Sequence, residues 1–206
     1  MNLNYTPDFY AVINPYRDFL LRVLRRYNFT DFTDSEFWTL GGMEWYEYKH
    51  LVDNGIVFGP HSYCNVDRGL VDKLDDGAVR IHHIDFFDIH KFWGKPRVIN
   101  FDSTMALVES NQNQWQDFIW LGFEAARLSK RVLLSWNFLE EYARASFGSL
   151  DNGLYQYWLE MLRDAADANN ISIEMFNKGL IAPKDDSTTT MLAGCCVLNY
   201  QPISAG

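Results

Sequence analysis

The chain has 206 residues, 48% of them hydrophobic and 16% aromatic, enough for one domain with a single large core. A formal charge of −9 excludes the broad positive footprint of a non-specific nucleic-acid binder. No run of about 18 apolar residues exists, and the polar start lacks the basic-then-apolar pattern of a signal peptide, so no membrane association is expected and the expected location is cytoplasmic. Three cysteines, Cys64 and the adjacent Cys195 and Cys196, form no disulfide framework and read as free core thiols.

Residues 1–12 show no clear periodicity. Pro15 suits the first turn of a helix running to about Tyr27, with Tyr16, Leu20, Val23, Leu24 and Tyr27 on one face. Arg17, Arg22, Arg25 and Arg26 lie largely off that stripe and read as a solvated basic face. The turn- and cap-rich residues 28–35 follow, and residues 1–35 together form an N-terminal extension and helix packed on a core domain of residues 36–206.

Four short apolar runs then end in a polar residue. The first, about Glu36–Leu40, meets the pair Gly41-Gly42. After a helix over Glu44–Asn54 and a loop at Phe58–His61, the second, Ser62–Val66, ends at Asp67. A short helix over Gly69–Leu74 leads to the third, Arg80–Ile84, which ends at Asp85. An aromatic-rich connection leads to the fourth, Arg97–Phe101, which ends at Asp102. Side-by-side strands with polar carboxyl ends are how an open α/β sheet builds a ligand crevice.

A long helix is expected over Gln112–Lys130, and the apolar Arg131–Trp136 reads as a strand buried on both faces. Asn137–Ala145 suits a short helical turn, Gly148–Gly153 a loop, and Leu154–Asn169 an amphipathic helix. Ile171–Asn177 and Met191–Tyr200 form a final strand pair, expected to be antiparallel because no helix connects them. The polar segment Ala182–Thr190 joins them. This alternation predicts an α/β fold, a doubly wound, mostly parallel seven-stranded sheet with helices on both faces and an antiparallel last strand.

The order and the four strand ends resemble the class I S-adenosylmethionine-dependent methyltransferases over roughly Glu36 to Tyr200. The resemblance implies S-adenosylmethionine as cofactor. Gly41 and Gly42 would let the backbone approach its methionine part, with Glu44 binding the amino group. Asp67, 25 positions after Gly42, would hold the ribose hydroxyls, since a carboxylate accepts two hydrogen bonds from a diol. Asp85 and Phe86 would hold the adenine, and Asp102 would lie nearest the transferring methyl. Two departures stand out. Thr39 occupies the place of the family's acid, and Met43 that of a second spaced glycine. After Asp102, Ser-Thr-Met differs from the motif of amino-methylating nucleic-acid enzymes.

Adjacent strand histidines point to opposite faces, so His82 and His83 do not suggest a metal site, and no metal is expected. Two other readings stay open. One is an inactive methyltransferase-fold protein acting as an assembly or interaction subunit, for which a stable homo-oligomer or a co-purifying partner is expected. The other is a different nucleotide-using α/β enzyme, such as a dehydrogenase.

Overall fold

A computed structural model describes residues 7–40, 45–66, 77–102, 112–139, 154–181 and 191–202. In chain order these form α1 (Pro7–Arg26), β1 (Asp31–Phe32), β2 (Glu36–Thr39), α2 (Tyr46–Asp53), β3 (Val57–Phe58), β4 (Tyr63–Val66) and β5 (Val79–His82). A 3-10 turn (Phe86–Lys91), β6 (Pro96–Asp102), α3 (Gln112–Ser129), β7 (Arg131–Leu139), α4 (Leu154–Ala168), β8 (Ile171–Ile181) and β9 (Met191–Tyr200) follow. The expected Gly41-Gly42 turn and the helix over 69–74 lie outside the described residues, as do the loops at 148–153 and 182–190.

Seven strands form one sheet in the order β5-β4-β2-β6-β7-β9-β8. All neighbours pair in parallel except β9, which is antiparallel to both β7 and β8. From β2 the chain builds outward through β4 to β5, then returns to place β6 on the other side of β2. The order therefore reverses between β2 and β6, the place where open α/β sheets bind ligands at the strands' carboxyl ends. No described helix is long and apolar enough to cross a membrane.

Alternation along each strand divides the core in two. Trp38, Ile99, Phe101, Leu134, Trp136, Cys196 and Leu198 pack with α3 and α4 on one face. Phe37, Val98, Leu133, Cys195 and Val197 pack with α1 and α2 on the other. Cys195 and Cys196 thus point to opposite faces. All three cysteines are free and buried, and burial pushes the thiols of Cys64 and Cys195 up to about 12.

Several boundaries differ from expectation. α1 begins at Pro7, a first-turn proline, and carries Pro15 in its interior. There the missing N–H leaves the Ala11 carbonyl without its helical partner. Burial of Tyr16, Phe19, Leu20, Val23 and Leu24 against the sheet offsets that loss. β1 and β3 form a separate parallel pair in segments read as loops, each too short for a period-2 pattern to register. β7 continues past Trp136 to Leu139, and β8 past Asn177 to Ile181, because β9 pairs with both along its length. The strand at 137–139 replaces the expected helical turn there.

Gly194 marks the tightest packing on the α3–α4 face. A Cβ there would lie 2.5 Å from the Trp136 indole, whose ring is 4.7 Å from that of Trp158 on α4. Gly194→Ala is expected to destabilise the protein by about 1–3 kcal/mol, since a close-packed core absorbs an added methyl only by displacing side chains. Thermal unfolding should show a melting temperature lowered by several degrees; an unchanged value would contradict this contact.

Candidate functional site

On the α1–α2 face, four neighbouring strands each deliver a buried polar side chain to one row. Asn65 of β4 is in register with Thr39 of β2, Thr39 with Asn100 of β6, and Asn100 with Ser135 of β7. One step further toward the carboxyl ends, Asp102 is in register with Asn137. Thr39, Asn65, Asn100, Ser135 and Asn137 are all at most 1% exposed. Burial of so many polar groups costs several kcal/mol each unless they are hydrogen-bonded, so their partners define the site.

Asn100 is the hub. Its Nδ2 donates to Thr39 Oγ1 at 3.2 Å and to Glu47 Oε2 at 2.9 Å. Its Oδ1 accepts from the Tyr16 hydroxyl, which lies 3.1 Å from Ser135 Oγ. Tyr63, from the amino end of β4, donates to Glu47 Oε1 at 2.9 Å. Beside them Asn137 Nδ2 donates to Asp102 Oδ1 at 2.5 Å. Tyr16 and Glu47 reach this row because α1 and α2 lie over the face of the sheet that carries it.

The electrostatics follow from burial. Desolvation, reinforced by Asp102, pushes the Glu47 carboxyl up to about 7, against the opposing pull of the Tyr63 bond, Arg17 and Thr39. Asp102 is also raised by burial, opposed by its Asn137 bond and by Arg17. Burial, then the nearby carboxylates, raise Tyr16 and Tyr63, which stay neutral donors. Arg17, read from sequence as part of a solvated basic face, is half-buried and acts on both acids. Arg22, Arg25 and Arg26 are exposed as expected.

Among the described residues, buried Asn65 Oδ1 in the row itself and Trp45 Nε1 at the start of α2 have no hydrogen-bond partner. Trp45 holds a left-handed φ of 58° and caps α2 without a side-chain hydrogen bond. For a bulky residue that conformation is a genuine outlier.

Of the residues expected from sequence, Asp102 enters this network. Asp85 is exposed at the edge strand's end, where it caps the 3-10 turn by accepting from Phe87 N at 3.0 Å. The Phe86 ring lies inside the core, 4.9 Å from Phe101 and 6.4 Å from Phe118. Gly41, Gly42, Glu44 and Asp67 lie outside the described residues. Sequence reading missed Tyr16, Glu47, Asn65, Asn100, Ser135 and Asn137. The available signal was a polar residue recurring at period 2 near the carboxyl end of each apolar strand. His82, weighed for metal binding, packs on the Trp38 ring at 4.7 Å.

No protein-family model matches the sequence, and no curated protein is significantly similar to it. Solved structures are similar in fold. A proposed RNA methyltransferase from Pyrococcus horikoshii aligns with a TM-score of 0.55 at 10% identity, over 91% of this chain and 84% of that one. An rRNA methylase from Streptococcus thermophilus aligns at 0.50 and 11% identity, over 93% and 97%. M. jannaschii TYW2 in complex with AdoMet aligns at 0.50 and 9% identity, over 97% and 80%. The chain has the class I methyltransferase fold, a Rossmann-like α/β sheet.

The raised Glu47 carboxyl has a consequence for stability. Between the ordinary carboxylate range and about pH 7 the native protein holds a proton that the unfolded chain has lost. Stability therefore falls as pH rises through that window and levels off above it. In Glu47→Gln the amide keeps both hydrogen bonds, with the Tyr63 hydroxyl turned to accept. The fall attributable to Glu47, at most about 3 kcal/mol, should disappear. Urea unfolding at several pH values checks this, and identical pH slopes in both proteins would refute it.

Proposed function

We infer that the chain is an S-adenosylmethionine-dependent methyltransferase, with its site at the carboxyl ends of β2, β4, β5 and β6. The observation that carries this reading is the carboxylate pair of buried Glu47 and half-buried Asp102 at the point where the strand order reverses. Open α/β sheets bind ligands at such a point, and paired acids there suit a ligand with positive charge. The orphaned Asn65 Oδ1 fits the same group, because a buried acceptor without a partner calls for a donor.

When bound, the cofactor would supply an electrophilic methyl group on a positively charged sulfur. The chain's own residues would bind and orient. Gly41 and Gly42 would let the backbone come close, with Glu44 beside them, and Asp67 would accept from the ribose hydroxyls. Asp85 would stand at the adenine end, with Phe86 held in the core as the floor beneath it. Asp102, oriented by Asn137, would face the reacting sulfur. Thr39 leaves the family's acid position without a carboxylate. Glu47 brings one from α2 to the same Asn100 amide that Thr39 touches. Alignment of the reactants, more than covalent help, would then account for the rate. Two of the similar structures are named as RNA methylating enzymes, but a net charge of −9 offers no general grip on a phosphate backbone. A cytoplasmic location suits the cofactor.

One observation favours a second reading, an interaction subunit. On the opposite face an open cavity of about 320 Å³ between α3 and α4 is lined by Ile119, Trp120, Phe123 and Met161, with Trp120 43% exposed. A single titration separates the two readings. Calorimetry with S-adenosylhomocysteine should show micromolar binding, weakened at least tenfold by Asp67→Ala, since two hydrogen bonds to a carboxylate are lost. Folded protein that gives no heat at millimolar ligand would refute the cofactor reading and favour the interaction reading.

A further inference from the structure

The hydrogen bonds around Glu47 have a direction. Tyr16 donates to Asn100 Oδ1, so its oxygen is free to accept from the Ser135 hydroxyl 3.1 Å away. Asn100 in turn donates to Thr39 and Glu47, and Tyr63 donates to the other Glu47 oxygen. The chain Ser135, Tyr16, Asn100 ends on Glu47 from one side and Tyr63 ends on it from the other. Both carboxyl oxygens are already acceptors, an arrangement built for a carboxylate ion. A proton on Glu47 would weaken one of these two acceptors.

The charges facing Glu47 do not keep it ionised. α1 contributes Arg17, half-buried, and the neutral Tyr16. β4 contributes the neutral Tyr63, β6 contributes Asp102, and β9 contributes the buried thiol of Cys195 near Tyr16. On α2 itself, Lys49 is exposed and His50 is engaged 3.2 Å away by Asp18 of α1. Buried Glu47 and half-buried Asp102 thus share one arginine among the described residues. In the same row Asn65 Oδ1, 1% exposed, accepts from no described residue. Beyond Arg17, no described residue brings positive charge to these acids.

We propose that Glu47, Asp102 and Asn65 form a cation-selective subsite, and that Glu47 releases a proton to solvent when a positively charged ligand enters. This rests on the cofactor reading above and specifies how that cofactor is told from its product. S-adenosylmethionine carries a positive sulfur, and S-adenosylhomocysteine, the product sulfide, does not. Entry of the first breaks the Glu47 O–H bond, sends the proton to the buffer and leaves a carboxylate that its donors already fit. Nothing is oxidised or reduced. Entry of the second leaves much of the proton in place, so the site favours the charged cofactor more strongly as pH rises.

Calorimetric titrations of each ligand, in two buffers of different ionisation enthalpy near pH 7, measure the protons released. S-adenosylmethionine should release about half a proton at that pH, and S-adenosylhomocysteine clearly less. The Kd for S-adenosylmethionine should tighten roughly tenfold from about pH 6 to about pH 8. Glu47→Gln should bind without proton release. Tyr63→Phe, which removes one donor to the carboxylate, should move the pH at which release is half-maximal upward. Binding with no proton release, with equal release for both ligands, or with release unchanged in Glu47→Gln would overturn the inference and leave the cofactor reading standing. If folded protein binds neither ligand, both fall.

Discussion

Asn100 sits fully buried in the middle of the sheet, and it can do so only because its amide is completed on every side. Tyr16 serves its oxygen, while Thr39 and Glu47 take both hydrogens of its nitrogen. Those partners come from α1, β2 and α2, so one side chain ties the N-terminal helix, the first core strand and the following helix to β6. Removing any partner would leave a buried group unmet at a cost of about 1–3 kcal/mol. The site therefore lies inside the element that holds the α1–α2 layer in place.

The two faces of the sheet solve different problems. Toward α3 and α4 the strands present Trp38, Phe101, Trp136 and other large apolar groups, packed closely enough that only glycine fits at position 194. Toward α1 and α2 the same strands present apolar residues near their amino ends and a polar row near their carboxyl ends. The first face supplies rigidity. The second carries two acids whose charge is set by desolvation, and perturbed acids of this kind gather at functional sites more often than elsewhere.

The fold was legible because its signals are repetitive. Strand and helix alternate through β7, and the helix-free link between β8 and β9 marks their antiparallel pairing. The site was legible only in part. Asp102 stood out as an acid closing an apolar run, and it does join the buried network. Glu47 did not stand out, because a glutamate in an amphipathic helix reads as solvent-facing until α2 is seen lying over Asn100. Tyr16 read as one member of an apolar stripe, and its hydroxyl has meaning only beside Asn100 and Ser135, 84 and 119 positions away. Asn65, Asn100 and Ser135 lay in plain view inside strands, but the row they form exists only once register is known. Phe86, whose position after a strand-end acid suggests a stacking face, has its ring in the core against Phe101.

The central claim is that ligand binds over the polar row where β2 and β6 diverge. A crystal structure of the protein with S-adenosylhomocysteine tests this most directly. The account predicts the ligand at the carboxyl ends of β2 and β6, with its sulfur toward Glu47 and Asp102. Ligand bound instead in the cavity between α3 and α4, with the polar row untouched, would contradict it.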